Sequence, residues 1–382
     1  MNKNIYLISL LALGAISLNS CSSSDEPSPN PTPDNTGLVL GIKTTVSMNT
    51  KTALIKELGD GNEMNTFVTL ADQYGAEQPT EAIRATHTGG AWKMEKNVGL
   101  NSGYTAEVIA AYPYVDGVTN YRQYPIDVTS QVDVLYSGLG AYASSTQTTA
   151  SLNMKHAMSL LSVNIKKQGY TGEGLITSIR VEHPQLIATK GHLNAATGDS
   201  EKTEFGPVQA AVEGTITEDG IKGALPGLWV IPFSSKDHEA VKAVITIDGK
   251  DYNVSLPEVS MATGWQYAFQ GVLTANGLAF LPNATEEYQL DMTDNEFYEL
   301  EGFGAVVFTF TGSEFTLPTF TGVNVFGNVK AEDGTSAEYA VGSTVKLKSA
   351  ARQTITVETW NSSGFELNSI DGIDVIDLSR YN

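Results

Sequence analysis

Three segments decide how this chain folds: 107–114 (EVIAAYPY), 133–136 (DVLY) and 152–167 (LNMKHAMSLLSVNIKK). The first is apolar and aromatic and is stopped by Pro113, which indicates a strand. The third alternates apolar and polar residues in both of its halves, and this period of two predicts strands with one buried face. Its parity changes at 157–160, which predicts a β-bulge or a single helical turn there.

Turn signals are spread along the whole chain. There are 36 glycines, and Asp-Gly pairs occur at 60–61, 219–220, 248–249 and 333–334. Many short strands separated by such turns predict an all-β protein built of sandwiches. A mature length of roughly 360 residues predicts two or three domains.

As an ordered set, the three segments resemble the fimbrillin-like family of Bacteroidales surface lipoproteins. Members of that family pair an Ala-Tyr-x-Pro-Tyr-like strand with an Asp-x-Leu-Tyr-like strand, and a His-containing strand then leads into a second domain. Residues 110–114 (AAYPY) follow the first pattern, whereas Met154 stands where an aromatic residue is usual. The resemblance covers residues 37–281 and implies two tandem transthyretin-like β-sandwiches.

The N-terminus has the features of a lipoprotein signal peptide at residues 1–20. Lys3 supplies a positive charge, and the apolar core at 5–18 is too short to span a bilayer as a stable helix. A small residue, Ser20, precedes Cys21, which is the only cysteine of the chain. Cys21 is therefore the predicted lipid-attachment site, where several acyl chains such as palmitate give durable anchoring. The alternative is a chance cysteine near an ordinary cleavage site.

Residues 21–36 are predicted to form an extended, Pro-rich tether. Serines followed by Asp25 and Glu26 resemble the signal that directs Bacteroidota lipoproteins to the outer face of the outer membrane. We therefore expect a surface-exposed protein, lipid-anchored to the cell outer membrane, with the fimbrium as a further location.

The remaining chain is predicted to form three β-domains, at 37–167, 168–281 and 285–382. In the second, the alternating runs 241–247 and 252–256 flank an Asp-Gly pair and predict a β-hairpin. In the third and smaller domain, the run 370–379 alternates apolar and acidic residues, which is typical of an edge strand kept soluble by charge.

The sequence offers no recognisable catalytic, cofactor or metal-binding constellation. Asp60 and Glu63 lie in a short acidic turn that has too few ligands for calcium, and Glu286 and Glu287 are interpreted as solvated surface. His156 is expected to be a hydrogen-bonded core residue, and His183 is expected in a turn. The histidines do not have the spacing of a zinc site: they are His87, His156, His183, His192 and His238.

The net negative charge of the chain disfavours one class of partner. The chain carries 43 acidic and 23 basic residues, a net charge of −20, which disfavours nucleic acid. The expected partners are other fimbrial subunits or host and bacterial surface ligands, with the outer membrane reached through the N-terminal lipid.

Two non-enzymatic functions remain open. The resemblance implies a fimbrial subunit, anchor or accessory protein that assembles by β-strand addition, after cleavage at an arginine removes the first strand. This chain departs from that pattern because no arginine occurs between Cys21 and Arg84, so an anchor that keeps its first strand fits as well as a stalk subunit. The alternative is a monomeric surface lipoprotein that captures glycans or other ligands through residues 285–382.

Overall fold

The computed structural model describes residues 37–47, 57–289 and 302–381, with the backbone alone given for 283–289. Within these residues the chain forms β-strands, two single-turn 3₁₀ helices (Tyr121–Gln123 and Val128–Ser130) and no α-helix. The predicted all-β class is therefore confirmed. None of the described helices is long and apolar enough to cross a membrane. The predicted signal peptide, Cys21 and the tether lie outside the described residues.

The part of the chain before residue 157 contributes an eight-stranded sheet, the N-terminal sheet, whose strand order is β1-β9-β7-β5-β2-β3-β4, with β8 beside β5. Alternation along β9 is strict, because its even-numbered residues from Ala150 to His156 are buried and its odd-numbered ones are exposed. The strands of this sheet are β1 (Gly41–Val46), β2 (Glu63–Asp72), β3 (Glu81–Thr88), β4 (Ala91–Met94), β5 (Tyr104–Tyr112), β7 (Leu135–Tyr136), β8 (Tyr142–Ser144) and β9 (Thr149–His156). Strand β6 (Tyr124–Asp127) lies in the same part of the chain but belongs to another sheet.

A nine-stranded sheet, the central sheet, follows in the order β18-β17-β11-β14-β10-β19-β20, with β15 beside β14 and β16 beside β10. Strands β12 and β13 form a small separate sheet with β6. The strands are β10 (Ser159–Lys167), β11 (Leu175–Glu182), β12 (Ala188–Leu193), β13 (Ser200–Phe205), β14 (Val208–Thr217), β15 (Gly220–Ile221), β16 (Gly227–Val230), β17 (Lys242–Ile247), β18 (Lys250–Ser255), β19 (Trp265–Leu273) and β20 (Leu278–Gln289).

The change of parity at 157–160 marks the place where the chain leaves the N-terminal sheet and enters the central sheet. Strand β9 ends at His156 and β10 begins at Ser159, so neither a bulge within one strand nor a helical turn occurs there. The prediction of one buried face is wrong for β10, because Ser162 and Asn164 are buried as well. Ser162 accepts a hydrogen bond from Gln266 Nε2, and Asn164 Oδ1 accepts one from the backbone of Ile221, so neighbouring segments cover both faces.

The predicted hairpin of the central sheet is confirmed. Strands β17 and β18 pair in antiparallel register from Lys242 opposite Ser255 to Ile247 opposite Lys250. The two linking residues, Asp248 and Gly249, have φ angles of 49° and 73°, as a type I′ turn requires.

The C-terminal unit, residues 302–381, is a smaller all-β module. Its main sheet has the order β25-β24-β27-β21-β29, and β22–β26 and β23–β28 form two-stranded ribbons. Val306, Phe308 and Phe310 are buried along β21, as their alternation predicts, whereas Val323 is exposed and lies outside any strand. The strands are β21 (Gly304–Phe310), β22 (Glu314–Thr316), β23 (Thr319–Thr321), β24 (Phe326–Ala331), β25 (Ser336–Glu338), β26 (Thr344–Lys346), β27 (Gln353–Trp360), β28 (Gly364–Glu366) and β29 (Ile373–Arg380).

The buried cores follow the sheets only in part. The largest cluster of buried apolar residues belongs mainly to the central sheet but also includes Phe67 of β2 and Ile109 of β5. Strand β10 lies within the predicted first domain, 37–167, but it hydrogen-bonds to β16 and β19 of the central sheet. The division into domains at 167 and 281 stays a prediction.

Candidate assembly interface

Among the described residues, strand β1 is hydrogen-bonded along one edge alone, and the short segment just before it is hydrogen-bonded along the other. On one side β1 runs parallel to β9, from Gly41 opposite Thr149 to Val46 opposite Met154. On the other side the segment leading into β1 meets residues 98–100, where the Leu40 N–H donates to the Val98 carbonyl at 2.9 Å. We call the space that β1 and residues 38–40 fill beside β9 and residues 98–100 the β1 groove.

Apolar side chains hold β1 in this groove. Leu40 and Ile42 are 3% and 8% exposed and belong to the core of the N-terminal sheet. Trp92 packs on the same core, and its Nε1–H donates to Thr44 Oγ1 at 2.9 Å. Leu38 precedes the strand and is 36% exposed. The buried face of β1 is therefore limited to a short apolar run.

The last strand of the chain lies at an open sheet edge. Within the described part of the chain, strand β29 pairs with β21 on one side alone, which confirms the prediction of an edge strand at 370–379. The register shifts between Phe310 opposite Ile373 and Thr309 opposite Val375. The simple alternation therefore fails, and Val375 and Leu378 are 50% and 49% exposed. Unpaired backbone groups on such a strand can accept another strand.

The C-terminal unit is fixed to the central sheet by two carboxylates that sequence reasoning missed. Glu358 accepts hydrogen bonds from Thr274 Oγ1 at 2.9 Å and from the Asn276 side chain. Glu338 accepts one from the Ser255 N–H at 2.7 Å. No signal in the sequence marks either carboxylate, because their partners are remote along the chain.

An apolar contact lies beside these carboxylates. The Trp360 ring stacks on Phe326 with 5.1 Å between centroids, and its Nε1–H donates to Gln168 Oε1 at 3.2 Å. The rest of this small core comes from the β19–β20 hairpin: Val272, Ala279 and Leu281. Apolar packing and buried polar pairs together make the attachment of the C-terminal unit specific.

Acidification is expected to strengthen this attachment. Burial raises the pKa of Glu338 and of Glu358 above 4.5 in the folded chain. A raised carboxyl pKa contributes stability that is complete below the unfolded pKa and is lost as the pH rises through the folded pKa. The unfolding midpoint of the C-terminal unit should therefore rise as the pH falls from about 7.5 to about 5, measured by scanning calorimetry.

Two variants separate this effect from the general loss of negative charge. Glu358→Gln should flatten the pH dependence, whereas Glu366→Gln, a matched change at an exposed residue of the same unit, should leave it intact. Equal slopes for the wild type and the Glu358→Gln variant would contradict the role of this carboxyl.

His156 is a hydrogen-bonded core residue, as expected, but its partner was not foreseen. Its Nδ1 lies 2.8 Å from Asp133 Oδ2, and both side chains are 5% exposed. Burial raises the pKa of the Asp133 carboxyl, and the hydrogen bond to His156 opposes this effect. The His156 ring stacks on Trp229 of β16, so the pair lies where the N-terminal and central sheets meet.

The other polar residues singled out in the sequence have structural partners. Asp60 lies in a turn, where its carboxylate accepts hydrogen bonds from the Gly89 and Gly90 N–H groups and contacts His87 Nδ1 at 2.7 Å. These contacts lower the pKa of Asp60. His183 lies just before a turn, and its ring is 6.4 Å from that of His238, a proximity that spacing could not reveal.

Among the described residues, no group of three or more histidine, cysteine or acidic side chains could hold a metal ion. Cys21 and the side chains of Glu286 and Glu287 lie outside that part of the chain.

Comparisons with known proteins point to one family. The model of the fimbrillin-like family matches residues 43–287. Similar solved structures include a proposed cell adhesion protein from Bacteroides ovatus, with 15% identity, 67% of this chain and 99% of that chain covered, and a TM-score of 0.47. A fimbrial protein from Bacteroides vulgatus has 11% identity, 66% and 99% coverage, and a TM-score of 0.44.

The C-terminally truncated tip fimbrial protein Mfa3 from Porphyromonas gingivalis has 11% identity, 60% and 94% coverage, and a TM-score of 0.35. No curated protein has a matching sequence. The family match covers more than half of the chain and extends from within β1 to within β20. The protein therefore belongs to the fimbrillin-like family.

Proposed function

We propose that this protein is a lipoprotein exposed on the outer membrane, anchored through Cys21, and that it serves cell adhesion as a fimbrial subunit, anchor or accessory protein. Membership of the fimbrillin-like family supports a fimbrial role and favours binding over catalysis. The N-terminal pattern of an apolar core followed by Ser20 and Cys21 supports lipid anchoring. Its partners are other fimbrial subunits or ligands on neighbouring cells.

The β1 groove is the observation that carries the proposal of assembly by β-strand addition. In this position β1 forms backbone hydrogen bonds with β9, Leu38 and Leu40 form them with residues 98–100, and two apolar side chains enter the core. Strand addition satisfies a whole row of backbone donors and acceptors at once, so it links subunits tightly without a covalent bond. The open edge of β29 is a second place where a strand can add.

Mass spectrometry of the mature N-terminus tests the anchoring. Protein taken from surface structures is expected to begin at an acylated Cys21 if it is an anchor or accessory protein. A start between Lys43 and Lys56 would instead indicate a polymerising subunit that has lost β1. An unmodified Cys21 in a cytoplasmic protein would refute the proposal.

Exposure at the cell surface is tested with a protease. Protease added to whole cells is expected to cut the protein, because the proposed anchor holds it on the outer face of the outer membrane. A periplasmic protein serves as the control for intact cells. Protection of the chain in whole cells, with cleavage after lysis, would contradict surface exposure.

A further inference from the structure

A row of three polar residues crosses the sheet of the C-terminal unit where it faces the central sheet. Asn328 of β24 lies opposite Glu338 of β25 on one side and opposite Glu358 of β27 on the other. Directly opposed residues point to the same face of a sheet, so the three side chains are neighbours. Both carboxylates have hydrogen-bond partners in the central sheet, as described above.

Asn328 differs from its two neighbours. It is 3% exposed, and no atom of the described residues accepts a hydrogen bond from its Nδ2. A buried donor without an acceptor is unfavourable, and such groups are few in folded proteins. The terminal torsion of asparagine is broad, so this amide can turn toward an acceptor that arrives beside it.

A cleft opens beside this amide. We call it the junction cleft: β18, the turn between β19 and β20, and the β24–β25 hairpin enclose a volume of about 130 Å³. A single water molecule needs only about 10–15 Å³ of such a volume, so the cleft has room for a larger ligand. The polar and aromatic side chains that line it include Lys250, Tyr252, Asn253, Asn276, Asn328 and Glu338.

The turn between β19 and β20 leaves this space open because it carries a glycine. A Cβ atom at Gly277 would lie 3.1 Å from both Cγ and Oδ1 of Asn328. This is tighter than ordinary van der Waals contact, so a side chain at this position would press on the Asn328 amide. Gly277 therefore keeps the amide free to reorient.

The residues that line the junction cleft favour a neutral ligand rich in hydroxyl groups. A cation would leave the Asn328 N–H₂ group without an acceptor, because amide nitrogens are donors. An anion would meet the two carboxylates of the lining, Asp251 and Glu338, against the single ammonium group of Lys250, in a chain with a net charge of −20. A hydroxyl group both accepts from an amide and donates to a carboxylate, and several of them on one ring match the mixture of donors and acceptors present.

We propose that the junction cleft binds one neutral sugar residue of a glycan, with a hydroxyl group accepting from Asn328 and donating to Glu338. The site is shared between the central sheet and the C-terminal unit, and it exists only while the two are attached. It deepens the proposed adhesive function by giving it a ligand class. Sugar binding and strand addition use different parts of the chain, so either can fail without the other.

The test is a titration of the purified full-length protein with free sugars, followed by saturation-transfer NMR and calorimetry. The probes are D-glucose, D-galactose, D-mannose, L-fucose and N-acetyl-D-glucosamine, with sialic acid as the anionic comparison, each up to about 10 mM, beyond the weak end of specific affinity. At least one neutral sugar is expected to bind, and sialic acid is not.

Two variants locate the binding in the cleft. Asn328→Leu is expected to weaken sugar binding at least tenfold without lowering the unfolding midpoint, since it removes a buried donor that has no partner. Gly277→Ala should weaken binding by narrowing the cleft. Asn97→Ala, at an exposed asparagine of the N-terminal sheet region, is the matched control and should bind like the wild type.

The proposal is overturned if none of the neutral sugars binds. It is equally overturned if a bound sugar is retained unchanged by the Asn328→Leu and Gly277→Ala variants. A crystal structure with ordered water alone in the cleft at saturating sugar would also exclude it.

Discussion

A chain that lacks residues 38–46 is expected to lose the cooperative unfolding of its N-terminal sheet and to regain it when a peptide of those residues is added. The deletion empties the β1 groove, removes Leu40 and Ile42 from the core and leaves one edge of β9 unpaired. Loss of each buried aliphatic side chain costs about 2–5 kcal/mol, so the total is a large part of a domain's stability. Circular dichroism melts with and without the peptide measure both effects.

Changes in the peptide show whether the buried face drives this rescue. A peptide with Leu40→Asp and Ile42→Asp is expected to bind at least about a hundredfold more weakly, because charges would enter an apolar core. A control peptide with Lys43→Ser and Thr45→Ser changes two exposed residues and should rescue like the native one. Equal rescue by both peptides, or none by the native peptide, would count against strand exchange in the β1 groove.

Replacing His156 by alanine is expected to lower the free energy of unfolding by about 3–5 kcal/mol, the usual cost of removing one partner from a buried ionisable pair. Asp133 would then be left buried without the imidazole that it contacts in the folded chain. The change would also remove the ring that stacks on Trp229. Denaturation by urea, monitored by tryptophan fluorescence, gives the value.

The double variant Asp133→Leu, His156→Leu should lose less free energy of unfolding than the sum of the losses in the single variants Asp133→Leu and His156→Leu. The reason is that the double variant leaves neither group unpaired. The exposed pair between Lys96 and Glu81 is a suitable comparison, and Glu81→Ala should hardly move the transition. Simple additivity of the Asp133 and His156 changes would show that the pair does not act as a unit.

Local patterns predicted several of the strands. The alternation in β9 and the Asp248-Gly249 pair between β17 and β18 each gave the correct element, because one buried face or one left-handed turn is a property of a few neighbouring residues. The same reasoning wrongly predicted one exposed face for β10. Remote segments bury its second face, and the alternation of apolar and polar residues within the strand does not show this. The same reasoning also missed the irregularity beside Val375, where a shift of register moves a side chain to the other face.

Residues that act through remote partners could not be found in this way. Asp133 was identified as part of a strand-like segment, but not as the partner of His156. Glu358 follows a strand-like run and carries no mark of the role it plays beside Thr274. In both cases the interacting groups are brought together by sheet packing, which sequence spacing does not reveal.

The sequence by itself determined the all-β class, several strand positions, the edge character of β29 and the likeness to the fimbrillin-like family, because these depend on local periodicity, turns and ordered motifs. Only the tertiary structure decided that the chain changes sheets at 157–158, that β1 pairs with β9 while the segment before it meets residues 98–100, and that Asn328 faces a cleft between two sheets. These features depend on which distant strands lie side by side, and that choice is made by the burial of whole faces rather than by any single stretch of residues.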